Sequence, residues 1–300
     1  MACRLFALAA AGLLAAGCAT QAPHPSPLAT AEPLATAAVS GPRPAADDNL
    51  NAVAWTQTAI EHDLIFLQTY RDAQSRLLAA LADPGWDALA TSDRVTPLAR
   101  LAPAVVLDVD ETVLDNSPYQ AQVIKSGGEF NPAHWNQWCK QERARALPGA
   151  VAFTQFAASH GIAVFYISNR DKGLDAATIS NLRTVGFPVS GTGALLGLGT
   201  VRKGCAQTGT DKGCRRQLVS ERYRVLMQFG DQIGDFIDVA RNTQDGRREA
   251  VADYLPWIGT RWFVLPNPTY GSWEPALFNN NWRAPRELRR QQKLQELRYR

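Results

Sequence analysis

The sequence predicts an α/β fold, a three-layer sandwich around a parallel sheet, with an added helical segment at its N-terminal side. Short apolar runs alternate with helix-like segments along the chain, and polar residues follow several of the runs directly. The apolar runs cover residues 104–107, 162–167, 224–229 and 262–265, and the helix-like segments between them cover 149–159, 174–185 and 215–222. This alternation is typical of parallel strands whose two faces are covered by helices.

The composition is that of a globular protein. The chain has 300 residues, of which 46% are hydrophobic, so it is long enough to bury a substantial core. Its 31 basic and 28 acidic residues give a net charge of +3. Such a small net charge does not favour nucleic-acid binding, and we expect no nucleic-acid partner.

The first 48 residues have the pattern of an export signal and a tether. Arg4 precedes an apolar run over residues 5–14 that is too short to remain as a membrane span. Residues 14–18 resemble a bacterial lipobox that ends at Cys18, the predicted lipidation site, although Ala15 stands where such motifs usually carry Leu. We therefore predict a signal peptide over residues 1–17 and a lipid-anchored, disordered tether over 18–48. The alternative is a signal peptide cut nearby, which would release a soluble periplasmic protein.

The predicted domain covers residues 49–300 and begins with one or two helices. Aromatic and small side chains recur there at helical spacing before Pro84 and are predicted to face the core. They are Trp55, Ala59, Phe66, Tyr70, Ala73 and Leu77. The charged residues 285–300 are predicted to form a helix with a solvated basic face.

Three cysteines fall within this domain. Cys205 and Cys214 bracket a Gly-rich loop, and we predict a disulfide between them, as suits an oxidising compartment. Two unpaired surface thiols are the alternative. Cys139 is predicted to remain an unpaired thiol.

Asp108 and Asp110 lie directly after the first predicted strand. Two carboxylates at this spacing suit phosphoryl chemistry, with Asp108 as the nucleophile and Asp110 as the acid that protonates the leaving oxygen. A carboxylate that approaches an anionic phosphate needs charge neutralisation, which predicts Mg²⁺. A turn or a helix cap is the alternative role for such a pair.

A second acidic pair, Asp231 and Asp235, follows the third predicted strand. Two acidic strand ends in one parallel sheet would repel each other without a cation between them, which predicts a metal site. Asp231 is the predicted metal ligand and Asp235 its supporting carboxylate. The alternative for Asp231 is helix N-capping.

The remaining predicted groups bind phosphate. Ser168 and Asn169 follow the second predicted strand, where a hydroxyl and backbone amides suit phosphoryl oxygens. An N-cap is the alternative role. Lys212 is the predicted fixed cation of the site, and Lys203 is the alternative.

These motifs together resemble a known family, the class C bacterial acid phosphatases of the outer-membrane lipoprotein 5′-nucleotidase type, within the haloacid dehalogenase superfamily. The resemblance runs from about residue 49 to 281. The segments that carry it are residues 108–119, 147–150, 168–170, 230–231, 235–236 and 265–273.

The resemblance implies roles for individual residues. It implies Asp108 as nucleophile, Asp110 as acid and base that also gives a metal its backbone carbonyl, and Asp231 as the remaining protein ligand of Mg²⁺. Trp135 and Tyr270 occupy the places of an aromatic pair that grips the leaving group. Stacking tolerates different bases, which suits a range of nucleoside monophosphates.

The sequence therefore predicts a metal-dependent acid phosphatase and 5′-nucleotidase that works through an aspartyl-phosphate and is held at the outer membrane as a lipoprotein. Two alternatives remain open. One is a phosphotransferase that passes the phosphoryl group to nucleosides. The other is a surface lipoprotein that kept the fold, lost catalysis and binds ligands.

Overall fold

A computed structural model describes residues 47–299 of the chain. The predicted signal peptide, the lipidation site Cys18 and nearly all of the predicted tether lie outside the described residues. Within residues 47–299, none of the helices combines the length and the apolar character needed to span a membrane.

A parallel sheet of five strands forms the centre of the domain, in the order β5-β4-β1-β6-β7. These strands are β1 (Ala102–Leu107), β4 (Ala163–Asp171), β5 (Leu195–Leu198), β6 (Tyr223–Gly230) and β7 (Trp262–Val264). A separate antiparallel pair joins β2 (Leu114–Asp115) to β3 (Arg145–Ala146). The four predicted strands are present, so the predicted parallel α/β architecture is confirmed.

Nine α-helices accompany the strands in the described part of the chain. They are α1 (Leu50–Thr58), α2 (Ile60–Ala82), α3 (Ser117–Ser126), α4 (Pro132–Lys140), α5 (Ala150–Ser159), α6 (Asp175–Thr184), α7 (Gly213–Ser220), α8 (Gln244–Val251) and α9 (Arg286–Gln295). Apart from Ala59, the stripe predicted near the N-terminus falls on α1 and α2. Extended backbone at Ala59 separates these two helices.

The central strand β1 divides the core into two layers because alternate side chains of a strand point to opposite faces. Val105 and Leu107 belong to the larger apolar cluster, whereas Val106 belongs to the smaller one. Helices α2 and α5 cover the larger cluster, where Tyr70 stacks on Phe229 with ring centroids 5.2 Å apart. Helix α7 contacts β6 and contributes Val219 to the smaller cluster.

Two strand features differ from the sequence-based expectation. Strand β5 was not predicted, since its short run contains a glycine that weakens the pattern. Strand β4 continues to Asp171, so Ser168 and Asn169 lie within the strand and not after it. The N-cap alternative for these two residues is therefore wrong.

The predicted C-terminal helix is present as α9, but its basic face is not wholly solvated. Arg289 is 7% exposed, and its guanidinium lies 5.2 Å from the centroid of the Trp282 ring. The expectation is wrong for this residue because ion pairs and aromatic rings replace water around the charge.

Candidate active site

The carboxyl ends of β1 and β6 bring the predicted catalytic residues to one edge of the sheet. Asp108 directly follows β1, and Asp231 directly follows β6. The backbone N–H of Asp108 donates to the carbonyl of Phe229 at 2.9 Å, which continues the pairing of β1 with β6 beyond the end of β1. Parallel sheets place their ligand sites at this edge.

Lys212 reaches this edge from the residue before α7. Its ammonium group donates to Oδ1 of Asp108, and to Oδ1 of Asp235 at 2.7 Å. All three side chains are buried, so the two ion pairs are little screened by solvent. The structure thus joins three of the predicted site residues. Lys203, the alternative cation, is exposed.

Asp108, Asp231 and Asp235 form an acidic cluster in which one oxygen from each residue lies within 4.8 Å of the others. Three carboxylates beside the single ammonium group of Lys212 leave an excess of negative charge. Hard divalent cations prefer such oxygen ligands, so these residues fit a divalent cation. Asn267 donates to Oδ2 of Asp231 at 2.7 Å and orients this carboxylate.

Burial raises the pKa of two of these carboxyl groups. The pKa of Asp108 rises to about 7, because burial outweighs the attraction of Lys212 and the nearby Asp235 and Asp110 add repulsion. Burial also raises the pKa of Asp231 well above its usual value, with further increases from Asp235 and Asp108. A bound cation would favour the ionised form of both groups.

Asp110 has different partners from Asp108. Its Oδ1 accepts from Arg170 Nε at 2.9 Å and from Asn116 Nδ2 at 2.9 Å, and its Oδ2 accepts from the Ser168 hydroxyl at 3.3 Å. Its carboxylate is not part of the acidic cluster. The two carboxylates of the Asp-x-Asp pair are therefore held separately, one by Lys212 and the other by Arg170.

Arg170 and Asn116 were not singled out as site residues from the sequence. Arg170 is 2% exposed and also donates to Asn116 Oδ1 at 3.1 Å, while the Trp138 indole donates to the same oxygen at 2.9 Å. The resemblance covered both residues, but only the fold shows their partners, because Arg170 and Asp110 are 60 positions apart.

Ser168 and Asn169 lie near the site with their side chains already bonded to protein. The Ser168 hydroxyl accepts from the backbone N–H of Arg170 at 3.0 Å, in addition to its contact with Asp110. The side chain of Asn169 accepts from Arg215 Nη2 at 2.6 Å. Arg215 also donates to the Ser168 carbonyl at 2.6 Å, so it ties β4 to α7 beside Lys212.

The two predicted aromatic residues are both connected to the Asp108–Asp110 segment. The Trp135 ring centroid lies 5.6 Å from the Arg170 guanidinium, which in turn binds Asp110. The Tyr270 phenol donates to Glu111 Oε2. Both rings are partly buried.

Cys205 and Cys214 form a disulfide, with Cα atoms 5.7 Å apart, and Cys139 is a buried free thiol. The structure thus contains the pairing expected from the sequence. The disulfide lies two residues from Lys212 and closes the loop that leads to it.

The parallel sheet, with acidic residues at the carboxyl ends of β1 and β6, defines a haloacid dehalogenase-like α/β fold. Residues 49–273 match the family described as HAD superfamily, subfamily IIIB (acid phosphatase). The chain belongs to this acid phosphatase family.

Similar proteins agree with this assignment. The class C acid phosphatase from Bacillus anthracis, solved with tungstate bound, is 34% identical with a TM-score of 0.72, over 84% of this chain and 97% of that one. Acid phosphatase 1 of Solanum lycopersicum is 26% identical over 165 residues, and the stem 31 kDa glycoprotein of Glycine max is 27% identical over 165 residues. These matches cover 55% of this chain, and 57% and 58% of the two plant proteins.

Proposed function

We propose that this protein hydrolyses nucleoside monophosphates and related small phosphate monoesters with Mg²⁺, through an aspartyl-phosphate on Asp108. The main support for the proposal is that the carboxylates of Asp108 and Asp110 bind different basic residues. Lys212 binds Asp108, and Arg170 binds Asp110. Phosphoryl transfer to a carboxylate needs one such group as nucleophile and another as acid, and different partners favour different roles for them.

The reaction has two steps. In the first, an oxygen of Asp108 bonds to phosphorus while the bond to the ester oxygen breaks, and Asp110 gives its proton to the departing alcohol. In the second, Asp110 takes a proton from water as the water oxygen attacks phosphorus. The Asp108 carboxylate is then released together with inorganic phosphate.

Asp108 and Asp231 would hold Mg²⁺ together with the backbone carbonyl of Asp110, and Asp235 would support the site. The ion would supply positive charge to the phosphoryl oxygens and lower the repulsion between Asp108 and its substrate. Lys212 adds a fixed positive charge on the same side. Ser168 and Asn169 are proposed to contact the phosphoryl group once their present partners are exchanged.

Trp135 and Tyr270 are proposed to stack on the leaving group. Each ring stacks on bases without reading their hydrogen-bonding edges, so the site would accept several nucleotides. The tungstate complex of the Bacillus anthracis protein supports a site for tetrahedral oxyanions in this fold. Attachment to the outer membrane through a lipid on Cys18 is part of the same proposal, and it rests on residues 14–18.

The test is hydrolysis of adenosine 5′-monophosphate and 4-nitrophenyl phosphate by residues 47–300, first with Mg²⁺ and then with EDTA. We expect EDTA to abolish turnover and Mg²⁺ to restore it. Asp108→Asn should lower kcat at least about a thousandfold. When the wild type is incubated with substrate labelled in its phosphoryl group and quenched with acid, the label should be trapped on Asp108. The mechanism would be refuted by activity that persists in the presence of EDTA or in the Asp108→Asn variant.

The role of Asp110 has a separate readout. An acid that protonates the leaving oxygen matters most for poor leaving groups. Asp110→Asn should therefore depress hydrolysis of the nucleotide far more than that of 2,4-dinitrophenyl phosphate. An equal loss on both substrates would contradict the assignment of Asp110 as the acid.

A further inference from the structure

The C-terminal helix α9 contacts the loop that precedes α4, the helix that carries Trp135, and the loop after β7 that carries Tyr270. The family match ends at residue 273, and α9 covers Arg286–Gln295, so this helix lies outside the matched region. Four basic side chains of this helix form ion pairs with residues elsewhere in the domain. Among the described residues these pairs join Arg286 to Asp47, Arg289 to Glu129, Arg290 to Asp48, and Lys293 to Glu274.

Arg289 is the best-anchored of these side chains. It is 7% exposed, and its Nε donates to the Ala284 carbonyl at 3.0 Å. Its guanidinium lies 5.8 Å from the Phe278 centroid and 5.2 Å from the Trp282 centroid. Packing against two rings fixes the guanidinium before it meets its acidic partner, so little side-chain freedom is lost in forming the ion pair.

The acidic partner of Arg289 is next to the aromatic cluster that contains Trp135. Glu129 accepts from Arg289 Nη2, and the next residue, Phe130, has its ring centroid 6.4 Å from that of Trp135. Tyr119 completes this cluster, at 6.3 Å from Phe130 and 5.1 Å from Trp135. A shift of Glu129 would therefore move Phe130 and, through it, the Trp135 ring.

One turn further along α9, Lys293 contacts the loop that carries Tyr270. Its ammonium group donates to Oε1 of Glu274 at 3.1 Å. Glu274 lies four residues after Tyr270, in a loop whose Ser272 N–H donates to Gln232 Oε1 at 3.0 Å. One rigid helix therefore contacts the loop before α4 and the loop after β7.

We propose that α9 is a brace that sets the distance between the Trp135 and Tyr270 rings, with Arg289 as its main positioning residue. The inference rests on the proposed stacking of the leaving group between these rings. The brace acts on the part of the substrate beyond phosphorus, since neither ion pair involves the acidic cluster or Lys212. Loss of the brace should weaken nucleoside binding and leave phosphoryl binding unchanged.

The experiment compares Arg289→Gln and Glu129→Gln with Arg290→Gln in the full chain with Mg²⁺. Arg290 is the matched control, because it lies on the same helix and pairs with Asp48 while both side chains are about half exposed. The readouts are kcat and KM for adenosine 5′-monophosphate and the inhibition constant of inorganic phosphate, which fills the phosphoryl site without a leaving group.

We expect Arg289→Gln and Glu129→Gln to raise KM by roughly threefold to tenfold, with kcat and the phosphate inhibition constant unchanged, and Arg289→Lys to recover part of the loss. Arg290→Gln should match the wild type. If Arg289→Gln fails to fold, Glu129→Gln decides the question, since the Glu129 side chain is half exposed and its replacement leaves the core intact.

Unchanged KM in Glu129→Gln, or a parallel rise in KM and in the phosphate constant, would overturn the brace. The same effect in Arg290→Gln would also overturn it. Trp135→Ala separates this failure from failure of the proposed function. If Trp135→Ala raises KM and Glu129→Gln does not, only the brace is wrong; if Trp135→Ala has no effect, the stacking itself is wrong.

Discussion

The phenol of Tyr270 donates a hydrogen bond to Oε2 of Glu111, a residue 159 positions earlier in the chain. The other oxygen of Glu111 accepts from the backbone N–H of Asn116 at 2.8 Å. Glu111 is buried and has a φ of 55°, in the left-handed region that side chains rarely adopt. Backbone strain of this kind occurs at functional sites, where surrounding contacts hold it. Glu111 therefore ties the Asp108–Asp110 segment to the loop of Tyr270.

Two substitutions of Tyr270 separate its ring from its phenol. Tyr270→Phe keeps the ring and removes the bond to Glu111, so we expect kcat/KM for adenosine 5′-monophosphate to fall only about twofold to tenfold. Tyr270→Ala also removes stacking worth about 1–3 kcal/mol, which predicts a further loss of about fivefold or more. Steady-state kinetics on both variants checks this. Equal losses would mean that the ring itself contributes nothing.

Lys212→Met should reduce kcat by at least about a hundredfold, because it removes the fixed cation and leaves Asp108 and Asp235 facing each other without a shared donor. Lys203→Met is the control, since Lys203 is exposed and lies on the same connection between β5 and α7. Turnover of 4-nitrophenyl phosphate is the measurement. If the two variants lost activity equally, Lys212 would have no special role.

The elements that the sequence predicted well are those with a local signal. The strand that ends before Asp108 is a run of buried apolar residues, and the stripe on α2 repeats every three or four residues. The first pattern results from burial of both faces of a strand, and the second from burial of one face of a helix. Acidic residues directly after β1 and β6 therefore predicted two members of the acidic cluster, Asp108 and Asp231.

The contacts that the sequence did not predict depend on residues far apart in the chain. Arg170 binds Asp110 across 60 positions, and Arg289 binds Glu129 across 160. An arginine in a polar stretch resembles an ordinary surface residue until the fold shows which carboxylate it meets. Asn169 was expected after a strand and lies within it, because β4 extends as far as Asp171.

Replacing both Cys205 and Cys214 by Ala should lower the free energy of unfolding by about 2–3 kcal/mol, as expected for a closed loop of this length. Activity at 25 °C should stay within about twofold of the wild type. The reason is that Arg215 also holds this loop, donating to the Thr210 and Asp211 carbonyls at 3.2 and 3.0 Å. Denaturant unfolding and kinetics test the two parts. A loss of activity in the folded variant would show that the disulfide itself positions Lys212.

The Cys139 thiol should be almost unreactive in the folded protein. Burial raises its pKa to about 12, so only about one part in ten thousand is thiolate at pH 8, against about a quarter for an ordinary cysteine. Because the folded pKa lies above the unfolded one, this group should favour folding below about pH 8.5 and lose that contribution as the pH rises. Iodoacetamide labelling at pH 8, with and without urea, measures the difference. Fast labelling without urea would contradict the burial of this thiol.

Gly149 precedes α5, and its backbone closely approaches α2. Its φ is 84°, and a Cβ built there would lie 2.9 Å from the Tyr70 Cβ. The Tyr70 phenol donates to the Thr112 carbonyl at 2.8 Å, so a displaced Tyr70 would disturb the turn after Asp108–Asp110.

Gly161 provides the matched control for Gly149, because its φ is 72° and no atom lies within 4 Å of the corresponding Cβ. Gly161→Ala should cost about 1 kcal/mol from backbone strain alone. Gly149→Ala should cost roughly 2–4 kcal/mol and also lower kcat, since the clash adds to the strain and moves Tyr70. Urea unfolding of both variants gives the two free energies. Equal losses would show that Tyr70 yields without resistance, and an unchanged kcat would show that its bond to Thr112 does not position Asp108.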